Sequence, residues 1–88
     1  MNSFTSYINY NNQLCEKHFY NLAVEAANTA GNDPGLNYLI VKIGYKVLYY
    51  NKHNQNIIPI IKKACQIVDD PGLISNAQNE AITEILNN

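Results

Sequence analysis

Apolar residues recur along this chain with the period of an α-helix in four segments, and three turn-forming runs separate them: 31–35, 51–56 and 69–72. In the first segment Cys15, Phe19, Leu22, Ala26 and Ala30 follow one another at three- and four-residue intervals, so they line one face. This predicts a helix from about Gln13 to Ala30, stopped by Gly31, where a residue without a Cβ accepts a left-handed backbone. The second segment opens with Asp33-Pro34. Aspartate caps free backbone N–H groups, and proline fits the first helical position, where its missing N–H costs nothing. Leu36, Leu39, Ile40, Ile43, Val47 and Tyr50 then form one stripe and Tyr38, Tyr45 and Tyr49 a second. A helix apolar around most of its circumference belongs at the centre of a bundle.

The third segment starts near Asn56, a good cap, with Pro59 in its first turn, where it is tolerated. Ile57, Ile61, Ala64, Cys65 and Val68 face one way, and Ile60 and Ile67 widen the stripe. The run 69–72 ends this helix; its two acids either oppose the dipole there or begin the next turn. Ser75 followed by Gln78 has the spacing of a capping box and signals a fourth helix carrying Ala77, Ala81, Ile82, Ile85 and Leu86. No segment alternates with period two, so the expected fold is an all-α, antiparallel four-helix bundle over residues 13–88, preceded by a flexible N-terminal segment, 1–12. Asp33-Pro34-Gly35-Leu36 is echoed by Asp70-Pro71-Gly72-Leu73, but the flanks differ. Shared turn chemistry explains the echo better than an internal repeat does.

Composition narrows the functional classes. A hydrophobic fraction of 47% is ordinary for a folded domain, and 88 residues suffice for one core and not for two. Six Lys, no Arg and a net charge of −1 provide neither the field nor the guanidinium forks that bind a phosphate backbone, so nucleic acid is not an expected partner. The N-terminal segment has no basic cluster with an apolar run of signal-peptide length, and the longest apolar stretch, 36–50, is interrupted by Asn37, Lys42, Gly44 and Lys46. A soluble, cytoplasmic protein without a transmembrane segment is expected. Cys15 and Cys65 are then reduced thiols.

Candidate chemistry is sparse. Cys15 and His18 share a helix at a spacing of three, with His53 and Cys65 as further soft ligands, but paired short spacings in tight turns, which zinc sites use, are missing. Cys15, Glu16 and His18 supply the residue types of a nucleophile and base without a geometry that converges on a pocket. No catalytic residue, metal or cofactor is expected, and the chain is read as a binding protein. The strip Tyr38, Lys42, Tyr45, Lys46 and Tyr49 is the most unusual surface candidate, although tyrosines that cover the core and leave only their hydroxyls wet are the favoured reading of it.

The order of features is more telling than any one of them: Phe19-Tyr20 in helix one, Asp33-Pro34 opening helix two, the Leu39–Leu48 run, Ile58-Pro59-Ile60-Ile61, and a capped last helix from Ser75 to Leu86. This order resembles the immunity proteins of pediocin-like (class IIa) bacteriocins, especially the enterocin A immunity group. The resemblance implies resistance to an antimicrobial peptide: a cytoplasmic bundle, at the inner face of the membrane when it acts, that binds the mannose phosphotransferase permease once bacteriocin has engaged it. It implies no covalent chemistry. Recognition in the family is attributed to the carboxyl-terminal half and tail, which carries over here to helices three and four, with Lys62, Lys63, Gln66, Asn76, Asn79 and Glu80 as the exposed partner-binding positions. Two departures bear on specificity: the sequence stops at Asn88, soon after helix four, and it is near neutral where many members are basic. The rival reading is a small helical adaptor or antitoxin that buries the Tyr-rich face of helix two against a partner or itself.

Overall fold

The computed structural model of the chain describes residues 3–87. Among them are four helices, α1 (Ser3–Ala30), α2 (Pro34–Tyr50), α3 (Ile57–Val68) and α4 (Pro71–Leu86), with no strand. They form an all-α four-helix bundle whose short connections turn the chain back at each corner. No helix among the described residues is long and apolar enough to cross a membrane.

α2 is the hub. It packs along α1, α3 and α4, whereas α1 meets α3 only marginally and does not touch α4 among the described residues. Its buried positions therefore surround it: Asn37, Ile40, Val41, Ile43, Gly44, Lys46 and Val47. Of the expected stripe, Ile40, Ile43 and Val47 are buried while Leu36 and Leu39 are exposed, and Val41, outside the stripe, is fully buried because three neighbours cover the helix on several sides. One core cluster joins Ala23, Ile43, Val47, Ile57 and Ile61, and a second joins Ala30, Ile40, Val41, Ala64 and Ala77. Each fully buried aliphatic chain in them contributes about 1.5–3 kcal/mol by leaving water. Gly44 permits the close approach of α3: a Cβ there would overlap Ile61 Cγ1 and lie 2.9 Å from its Cδ1.

The helix ends follow the expected chemistry with three differences. Asp33 caps α2 by accepting from the Leu36 N–H at 2.8 Å, and Gly31 ends α1 at a φ of 51°. α4 starts at Pro71 rather than near Ser75, because Asp70 Oδ1 accepts from the N–H groups of Gly72 (2.9 Å) and Leu73 (3.1 Å) and so provides the cap first. At α3 the side chain of Asn56 makes no capping bond; Asn54 Oδ1 accepts instead from Asn56 N (3.0 Å) and Ile57 N (3.1 Å). α1 begins at Ser3 rather than near Gln13, so residues 3–12 of the segment expected to be flexible are helical, and residues 1–2 lie outside the described residues. Without Gly or Pro between Ser3 and Ala30, the helix propagates from its packed half at little cost per residue.

Candidate functional site

The six positions assigned to partner binding divide into two groups. On α3, Lys62, Lys63 and Gln66 are exposed; on α4, Asn76, Asn79 and Glu80 are exposed. Lys63 lines a cleft of about 340 Å³ between the end of α1 and the start of α3, with the buried Ile40 and Ala64 beneath it and Ala27, Pro59 and Ile60 along its walls. Asn76, Asn79 and Glu80 line a separate groove of about 260 Å³ along α4, together with Thr83 and Glu84. Lys63 and the α4 group therefore line different cavities.

Their electrostatics also differ. Lys62 and Lys63 are the only charged residues of α3, and neither makes an ion pair or side-chain hydrogen bond among the described residues. Glu80 is engaged across the α2–α4 seam: its Oε1 accepts from the Tyr38 hydroxyl at 2.7 Å and its Oε2 lies 3.6 Å from Lys42 Nζ. One helical turn on, Glu84 accepts from Lys42 at 2.9 Å and from Lys46 at 2.7 Å. Those hydrogen bonds, from Lys42 and then Lys46, hold the Glu84 carboxyl below the usual carboxylate range. Glu84 in turn holds the Lys42 ammonium above its ordinary value, and the bond to Glu80 pushes the Tyr38 hydroxyl up. Lys46 Nζ also lies 5.1 Å from the centroid of the Phe19 ring, placing a mostly buried cation between α1 and α4.

The tyrosine–lysine strip of α2 is thus the seam to α4. Tyr38 and Tyr45 are half-buried against the second core cluster, Tyr49 is exposed, and both lysines are bound by α4 carboxylates. Burial raises the Tyr45 hydroxyl above its ordinary value. The lysine ladder has a signal in the sequence, since Tyr38, Lys42 and Lys46 recur at four, as do Glu80 and Glu84, so the side chains stack on matching helix faces.

Of the residues weighed for other chemistry, Glu16 joins two elements. Glu16 Oε2 accepts from the side-chain amides of Asn51 and Asn54, both at 2.8 Å, and so ties the α2–α3 loop to α1. The His18 ring meets Phe19 edge-on at 5.1 Å. Cys15 and Cys65 are free and half-buried, and burial pushes the Cys65 thiol up. Among the described residues no three His, Cys, Asp or Glu side chains come together as a metal site. Lys62 and Lys63 are the exposed charges of α3 left unpaired among the described residues, and Lys63 borders the apolar-floored cleft. Comparison with family models, with curated proteins and with solved structures finds no match.

Proposed function

We propose that the chain is a bacteriocin immunity protein of the class IIa kind, which protects a producer cell by binding the bacteriocin-engaged mannose phosphotransferase permease from the cytoplasmic side. The order of elements and caps supports this reading. The observation that carries it is the contrast between the lysines: Lys42 and Lys46 are paired with Glu84 of α4, whereas Lys62 and Lys63, on the helix to which the resemblance assigns recognition, are exposed and have no carboxylate partner among the described residues. Rim cations of this kind steer and orient an encounter more than they add affinity, which suits a partner that presents its site only when engaged.

Expression in a class IIa-sensitive strain, followed by challenge with a bacteriocin panel, tests the proposal. Survival against at least one member is expected, and reversal of both charges (K62E with K63E) reduces it while the fold persists. Unchanged killing across the panel refutes the proposal. The adaptor reading needs the Tyr-rich face of α2, but α4 covers most of that face and Tyr49 is the tyrosine of the strip left exposed.

A further inference from the structure

α1 is longer than the bundle it belongs to. Its 28 residues extend about 42 Å at roughly 1.5 Å per residue, close to the 46 Å long axis of the molecule, while the 17 residues of α2 reach only about 25 Å. The bundle end is marked by Glu16, which holds Asn51 and Asn54 just beyond α2. Residues 3–14 therefore project about 18 Å past it.

Tyr7, Tyr10 and Leu14 of this projection are 68%, 61% and 49% exposed. At roughly 100° per residue they fall within about 60° of one another, on the side opposite Ala23 and Ala30, by which the same helix is buried. They form an apolar stripe directed away from the chain's own core.

We infer that this stripe pairs with the same stripe of a second copy, antiparallel, about a two-fold axis near Tyr10. The spacing is self-complementary: with the axis between Tyr10 and Asn11, Tyr7 of one copy faces Leu14 of the other and the reverse, as an isologous contact requires. Charge points to the same occupant. No Asp, Glu, Lys, Arg or His precedes Glu16, so two copies meet without repulsion, and a charged partner finds nothing to pair with. A lipid surface is a poorer fit, because helices lying on membranes carry cations along the polar face, and this segment has none. The antiparallel arrangement also opposes the helix dipoles and leaves the two bundles at opposite ends.

At about 150–250 Å² per aromatic side chain, the exposed parts of Tyr7, Tyr10 and Leu14 supply roughly 350 Å² per copy, or about 700 Å² for the pair. That is below the roughly 1,200 Å² of a stable complex, so the dimer is weak and concentration-dependent. The inference does not rest on the immunity reading.

Sedimentation equilibrium of the full chain from about 10 μM to about 1 mM, a range that brackets weak association, tests it. The average mass is expected to rise from one chain toward two. Y10K places two ammonium groups at the axis and raises the dissociation constant at least about tenfold. Y7K alone also weakens pairing, and adding L14E in the same chain restores it, because each lysine then faces a carboxylate of the other copy. Circular dichroism verifies that each variant keeps its helix content. A mass of one chain at every concentration overturns the inference, as does a Y10K chain that associates like the native one. Failure of Y7K with L14E to recover what Y7K loses overturns the antiparallel register.

Discussion

Replacing Gly44 with alanine tests the packing of the hub by its sign. In an exposed helix interior that change stabilises by about 0.5–1 kcal/mol, because glycine loses more backbone freedom on folding. At position 44 the new methyl would overlap Ile61 Cγ1 and approach its Cδ1 to 2.9 Å, and Ile61 is itself buried. Overpacking of this kind costs about 1–3 kcal/mol, which exceeds the propensity gain over most of its range. The expected net effect is a loss of about 0.5–2 kcal/mol. At roughly 4–8 °C per kcal/mol for a domain of this size, the melting temperature falls by about 2–16 °C. Thermal and urea unfolding of G44A, I61A and the double variant provide the assay. Removing Ile61 Cγ1 and Cδ1 opens a cavity that alone costs about 2–5 kcal/mol. The methyl introduced by G44A partly fills it, so the double variant is more stable than the sum of the singles by about 1 kcal/mol. A stabilised G44A, or strictly additive variants, would refute the close approach of α2 and α3.

Other outcomes follow from the caps, the buried amide and the ion ladder. D70A is expected to cost about 1 kcal/mol and S75A close to nothing, because Asp70 accepts the first N–H groups of α4; denaturant unfolding compares them. Asn37 is buried and donates to Gly31 O (3.1 Å) and Asp33 O (2.8 Å), so N37L, which keeps the branched outline but removes the side-chain donor from both carbonyls and leaves Asp33 O only the Asn37 N–H, costs about 1–3 kcal/mol on the same measurement. The Glu84 carboxyl lies lower in the folded chain than in the unfolded one, so its contribution is fully present above the unfolded value and disappears as pH falls through the folded one. Stability therefore drops below about pH 4, and E84Q flattens that limb of the urea midpoint against pH.

The fold was legible where local chemistry and period agree. Asp33-Pro34, Gly31 and the apolar density of α2 correctly specified a capped central helix between two turns. The start of α4 was misplaced because two caps compete within six residues: Ser75 has a capping-box partner in Gln78, but Asp70 comes first and is followed by a proline already set at the helical φ. The start of α1 was missed for a different reason. Residues 6–14 bury little, so their helicity comes from propagation and leaves no inward stripe in the sequence. Of the six surface positions all are exposed, yet Glu80 is bound to Tyr38 and Lys42, an engagement fixed by the placement of α4 on α2 and invisible to either helix alone. The pairs Lys42/Lys46 and Glu80/Glu84 were readable as complementary ladders, although nothing local says which helices meet.

Recognition of an engaged receptor by a helical bundle is open to a decisive co-purification. Tagged chain expressed in cells that carry the mannose permease is recovered with and without prior exposure to a class IIa bacteriocin to which it confers resistance. The permease is expected to be retained only after exposure, and K62E with K63E to weaken retention while E80Q leaves it largely intact, since Glu80 is committed to Tyr38 and Lys42. Retention that is independent of bacteriocin, or no retention by a chain that protects the cell, would contradict the proposed recognition.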